Sequence, residues 1–236
     1  MNSLTICTGW FSAGGNPSNT KVTPEIYLPN FLESFWAPHL FEQLRDKISS
    51  ILIYQSDCPI KITPFDHVKF VPVSIEYSTR LPTQHHHNDA GATMLMGAVK
   101  ALCDGTDLLY VEQDCMIINA KELVLWAQMS SAKIIYSTTP FKEDVSKGEF
   151  CLTFVQKDFL PAFIKFLIES RWFDWSESRG FPELVFEDIF KEYRVRWPFG
   201  VGRLRPIDWE ANIFYFQQPS VEELEKVRSL YPWKSS

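Results

Sequence analysis

Glu112 and Asp114 flank Gln113 directly after the apolar run Leu108 to Val111. Ligands of open α/β sheets bind outside the carboxyl ends of the strands, so this is a place where two carboxylates at alternate positions can do chemistry. Together they can reach one divalent cation, Mg2+ or Mn2+, with water and phosphate supplying further oxygens. A bound diphosphate needs that charge compensation. The plainer alternative is a solvated turn, since acidic pairs at strand ends are common. His85, His86 and His87 invite a zinc reading, but adjacent side chains do not converge easily on one ion, and no partner cysteine or HxxxH spacing accompanies them. A loop donating to phosphate or substrate fits better, beside a plain surface loop. Arg194, Arg196, Arg203 and Arg205 surround Gly200 and Gly202. Arginines on a flexible glycine loop could close over a diphosphate, where bidentate bonds suit phosphate oxygens. Trp209 nearby offers a face for a sugar ring. Balancing neighbouring acids is the alternative use of those arginines.

These residues need elements to position them. Leu4 to Thr8 is a short β-rich run that ends at Gly9, before a turn-rich stretch with Gly14, Gly15, Asn16 and Pro17. Apolar residues from Phe31 to Leu44 recur at helical spacing, with Pro38 expected to kink or divide the helix. Strands are expected at 50–54 and 68–73. Asn88 or Asp89 can cap a helix running to about Leu102; Asp104 and Gly105 then turn the chain into its strongest strand, 107–111. A helix at 121–128, strands at 133–137 and 150–155, helices at 159–169 and 182–193, a late strand at 213–216 and a charged helix at 221–230 complete the order. That rhythm predicts an α/β fold with a mixed, mostly parallel sheet flanked by helices. No repeat, low-complexity stretch or linker divides the chain, so one domain is expected.

The run Asn88-Asp89-Ala90-Gly91-Ala92, a helix, Gly105-Thr106-Asp107 and then Leu108 to Asp114 resembles the core of GT-A glycosyltransferases. In that Rossmann-like fold a helix with small residues leads into a strand ending in a DxD motif, which binds metal and donor diphosphate. Here the motif reads Glu112-Gln113-Asp114. The resemblance implies a single domain over 1–236, with a donor-binding part at about 1–120 and an acceptor and catalytic part at about 121–236. It implies Asp114 and Glu112 as ligands of Mn2+ or Mg2+, Thr8, Gly9 and Trp10 at the nucleoside, Asp57 reading the base, and Asn88 on the donor. Glu187-Asp188 resembles the acidic motif that supplies the general base in inverting members. Adjacent side chains diverge on a helix, so only one can serve, and Asp188 is the choice over Glu187. No histidine follows His87, so the C-terminal metal-binding histidine of many such enzymes has no counterpart. The implied activity is transfer of a hexosyl group from a nucleotide-diphosphate sugar to a hydroxyl of a carbohydrate or glycoconjugate, with inversion. Two other readings stand beside it. A nucleotidyltransferase shares the fold logic, although Gly14-Gly15-Asn16-Pro17 has no basic residue before Lys21. A non-catalytic carbohydrate-binding protein would explain the imperfect acidic motif.

Composition narrows the field further. A hydrophobic share of 45% with 22% charged residues is that of a folded domain. The net charge of −6 gives no overall attraction to nucleic acid. GxxxxGK(S/T), GxGxxG and GxSxG are all absent from the sequence. Cys7, Cys58, Cys103, Cys115 and Cys151 form no CxxC pair and are odd in number, which fits reduced thiols in a cytoplasmic setting. The N-terminus lacks a secretory signal pattern, and no apolar run reaches the roughly 20 residues of a transmembrane helix. Phe159 to Ile168, interrupted by Pro161 and Lys165, reads as an amphipathic helix that packs on the core, or alternatively rests on a membrane surface.

Overall fold

The computed structural model of the protein describes residues 3–10, 37–44, 46–55, 86–141, 145–171, 188–202, 205–211 and 213–230. Strand β3, Asp107–Val111, is buried at all five positions, as a strand covered on both faces must be. Its alternation sorts the side chains into two layers. Leu109 and Val111 face one core with Leu4 and Ile6 of β1 (Leu4–Trp10), Leu40 and Leu44 of α1 (Ala37–Leu44), and Leu123 of α3 (Ala120–Met129). Leu108 and Tyr110 face a second core with Cys7, Met94 and Ala98 of α2 (His86–Asp104), and Phe163 of α4 (Leu160–Glu169). Helices therefore cover the sheet on both faces.

The main sheet has six strands in the order β2-β1-β3-β6-β5-β7, with β2 at Ile48–Gln55, β5 at Ile134–Phe141, β6 at Val145–Val155 and β7 at Arg194–Arg196. β2, β1 and β3 run parallel. β6 is antiparallel to both β3 and β5, and β7 is parallel to β5. The sheet is thus mixed, as expected, and its antiparallel part has a simple cause: the connection between β5 and β6 is too short for a crossover. A second sheet, β4-β9-β8, joins Cys115–Ile117, Tyr215–Gln217 and Gly200–Gly202; α5, Val221–Leu230, closes the described chain.

Helix α2 fixes the depth of the site. Its C-terminus ends at Gly105, whose φ of 67° suits glycine, with Gly105 N bonded to Leu102 O and Thr106 N to Ala101 O, a Schellman arrangement. The helix then lies back along β1 in matched steps. Thr93 meets Gly9, where a Cβ would sit 3.2 Å from Thr93 Oγ1. Gly97 meets Cys7, and Ala101 O accepts from Thr106, whose hydroxyl shares a 2.7 Å hydrogen bond with Thr5. Four helix residues thus match two strand residues in the opposite direction, so the first turn of α2 lies beyond Gly9, past the carboxyl ends of the strands.

Several sequence expectations differ in detail. Helix α1 is described from Ala37, and the part of the expected helical stretch before it lies outside the described residues. Of the expected helix over 182–193, residues 182–187 lie outside the described residues, 188–190 are helical, and 191–193 turn into β7. The expected strand at 68–73 lies outside the described residues. Among the described residues no helix is long and apolar enough to cross a membrane. Leu160, Phe163 and Leu167 of α4 are buried in the second core, so that face of the amphipathic helix packs inward.

Candidate functional site

The chain leaves β3 through a turn held on both sides. Glu112 N bonds Cys151 O at 2.8 Å, extending the ladder to β6, and Cys115 N bonds Glu112 O at 3.0 Å, closing the turn into β4. Gln218 N bonds Asp114 O at 2.8 Å, which ties the turn to the end of β9. Gln113 is buried, while Glu112 and Asp114 are partly exposed. The two carboxylates converge. Gln217, only 2% exposed, donates from Nε2 to Glu112 Oε2 at 3.2 Å and to Asp114 Oδ1 at 3.3 Å. Ionised carboxylates only accept, so the NH2 side of the amide faces them. The charge of the pair reaches inward as well. Burial pushes the Tyr110 hydroxyl well above its ordinary pKa, and the charges of Glu112 and Asp114 add to that rise.

Oxygen is the only donor type in this pair, which suits a hard cation such as Mg2+ or Mn2+ and gives no reason for zinc. Among the described residues no group of three His, Cys, Asp or Glu side chains stands together. Water and a ligand phosphate can supply further oxygens to a cation at Glu112 and Asp114. The donor set fits that ion.

Because β1 and β3 are parallel, with Cys7 opposite Tyr110, Thr8, Gly9 and Trp10 emerge at the same sheet edge as Glu112. Thr8 is buried and its hydroxyl donates to Gly9 O at 3.4 Å. The first turn of α2, which includes His86, His87 and Asn88, reaches the same edge. The structure thus brings together the ends of β1 and β3 and the backbone at Asn88. Asp57, His85 and Glu187 lie outside the described residues.

Asp188 lies on the short helical stretch that precedes β7. It is exposed and ion-paired with Lys191 at 3.1 Å, on the segment that leads into β7. Arg194 at the start of β7 is in register with Ile134, and Ile134 through Val155 with Leu108, at the amino end of β3. The described structure shows no bond from Asp188 to the carboxylate pair.

The expected arginine loop is two strands instead. Arg194 and Arg196 belong to β7, and Gly200 to β8. A Cβ on Gly200 would run into the Tyr215 ring, so this glycine serves close approach rather than flexibility. Arg205 supports the strand that carries Gln217. It donates to Gln217 O at 2.9 Å and Gln218 O at 3.2 Å, pairs with Glu223, and lies 5.5 Å from the Phe216 ring centroid. Trp209 packs edge-on against Phe216. Arg203 lies outside the described residues. Gln217 itself escaped sequence reasoning, its only signal being a polar residue at the end of a late apolar strand.

No protein-family model matches the sequence, and no curated protein matches it by sequence. Solved structures do match. One is a glycosyltransferase involved in the glycosylation of the major capsid of PBCV-1, with a TM-score of 0.54, 14% identity, and coverage of 98% of this chain and 100% of that one. Another is the galactosyltransferase LgtC in complex with donor and acceptor sugar analogs, with a TM-score of 0.52, 9% identity, and coverage of 98% and 96%. Identities this low speak for the fold alone, and the fold of this chain is that of the GT-A glycosyltransferases.

Proposed function

We propose that this protein transfers a hexosyl group from a nucleotide-diphosphate sugar to a hydroxyl of a carbohydrate or glycoconjugate acceptor. The observation that carries the reading is the convergence of Glu112 and Asp114 at the carboxyl end of β3, beside the end of β1 and the first turn of α2. Thr8, Gly9 and Trp10 would line the nucleoside, Asn88 the donor, and Asp57 the base. Asp114 and Glu112 would hold Mn2+ or Mg2+, with Gln113 buried between them. Such an ion supplies charge compensation for the diphosphate as it leaves.

In the reaction the acceptor oxygen forms a bond to the anomeric carbon, the bond from that carbon to the phosphate oxygen breaks, and the nucleoside diphosphate departs. A carboxylate takes the acceptor's proton, and Asp188 is the candidate for that role. A single displacement inverts the anomeric centre. Asp188→Asn tests the assignment: a fall in kcat of about a hundredfold or more at unchanged Tm supports it. An unchanged kcat removes both Asp188 and the argument for inversion.

The experiment for the whole reading is a thermal-shift series with UDP, GDP, dTDP and CMP sugars, each with Mn2+ or with EDTA. One donor should stabilise the protein by mass action in a metal-dependent way, and Asp114→Ala should abolish the shift. Release of a nucleoside diphosphate identifies the transferase, whereas release of pyrophosphate would identify a nucleotidyltransferase. Binding of donor sugar without turnover of any acceptor would leave a carbohydrate-binding protein.

A further inference from the structure

The following rests on Glu112 and Asp114 being the cation pair. We propose that Gln217 is an internal competitor for that cation: its amide holds the two carboxylates together in the cation-free protein and must release both before a cation binds. One nitrogen, Gln217 Nε2, reaches an oxygen of each carboxylate, at 3.2 Å and 3.3 Å. An amide NH2 is a donor and has no lone pair to give a metal, and Mg2+ draws its oxygens to about 2.1 Å. The place between the two carboxylates cannot hold the NH2 group and the ion at once.

The strand cannot move aside easily to settle the conflict. Gln217 is buried and paired across from Cys115. Its carbonyl accepts from Arg205, Arg205 is bonded to Glu223 at the start of α5, and Gln218 N is bonded to Asp114 O. The exchange therefore falls to the side-chain torsions of Gln217, with the backbone in place. Two hydrogen bonds to charged acceptors are given up together, and these are stronger than neutral ones. A cation arriving alone meets that cost without a donor's phosphate oxygens to offset it. A nucleoside diphosphate brings oxygens of its own, so cation and donor bind as a pair.

The test uses EDTA-stripped protein titrated with Mn2+, following the EPR signal of free Mn2+, together with the Tm of the stripped protein. Gln217→Met keeps length and volume but removes the donor. It should raise Mn2+ affinity by at least about tenfold, lower the metal-free Tm, and narrow the gap between affinities measured with and without UDP. Gln217→Lys places an ammonium where the amide was. It should abolish Mn2+ binding while the metal-free Tm is kept or raised. Lower or unchanged Mn2+ affinity in Gln217→Met would overturn the proposal, because the side chain would then be a ligand or a bystander. Retained binding in Gln217→Lys would overturn it independently of how the Met variant folds. Asp114→Ala must lose the binding for it to be assigned to this pair. If neither the wild type nor Gln217→Met binds Mn2+, with or without UDP, the cation reading itself fails, and that outcome is distinct from the others.

Discussion

Gly97→Ala sets two ordinary effects against each other, and the structure says which wins. Alanine is better than glycine in a helix interior by roughly 1 kcal/mol, so propensity alone predicts a more stable protein. A Cβ at 97, however, would lie 2.6 Å from both Cβ and Sγ of Cys7 and 3.2 Å from Cδ1 of Leu108. Carbon contacts settle at about 3.5–4.0 Å, so α2 and β1 must part by about 1 Å. Cys7 Sγ, which donates to Thr93 O at 3.2 Å, has no room to turn away without losing that bond. Overpacking of this kind costs about 1–3 kcal/mol, and with two atoms of Cys7 in conflict the upper part of that range applies. The expected net loss is about 1–2 kcal/mol, or a few degrees of Tm for a chain of this length. Urea unfolding with an unchanged m-value is the assay. Because α2 also carries Asn88 and meets Gly9, the KM for donor should rise with the loss of stability. The double variant Cys7→Ala/Gly97→Ala should lose less than the two single changes together. A Gly97→Ala protein as stable as wild type, or more so, would refute the close approach of α2 to β1.

Three other perturbations follow from the same structure. Burial holds the His39 ring down to a pKa of about 4, against a smaller opposing effect of its bond to Ile117 O. The unfolded chain thus takes up the proton first, and the stability this neutral ring contributes is full above about pH 6.5 and lost as pH falls towards 4. Between pH 7 and pH 5 that loss is about 2 kcal/mol, and His39→Gln should remove this part of the slope in paired urea melts. Gly200→Ala drives a methyl group into the Tyr215 ring and should cost about 1–3 kcal/mol; a neutral result in thermal unfolding would show that β8 and β9 are not packed this way. Gln218 stands at φ 57°, the left-handed region, so Gln218→Gly should be neutral or stabilise by up to about 1 kcal/mol, with a clear loss counting against that backbone.

What the sequence made legible was local. β3 was visible because four apolar residues, Leu108 to Val111, follow a glycine turn, and the end of α2 because Gly105 alone can close its last turn comfortably. Glu112 and Asp114 were legible as a pair because strand alternation needs no distant information. Gln217 was not, since it meets them across more than a hundred residues through a sheet that only the folded chain assembles. Arg194–Arg196 looked like a loop because a three-residue strand carries too little pattern to register. Gly200 looked like flexibility because a sequence does not say that an aromatic ring will lie where a side chain would go. Asp188 was chosen from its neighbours in sequence, and strand register fixes only where its segment arrives, at Arg194.

The stepped fit of α2 along β1 also bears on which insertions and deletions the gene can accept. Thr93, Gly97 and Ala101 answer to Gly9, Cys7 and Thr5 as teeth of a rack answer to a wheel. One residue added between Asn88 and Thr93 would rotate the part of the helix before it by about 100° and lengthen it by about 1.5 Å, changing how that end meets the sheet edge. Length variation should therefore be absent from 93–101, where the stretch serves as a ruler laid along β1.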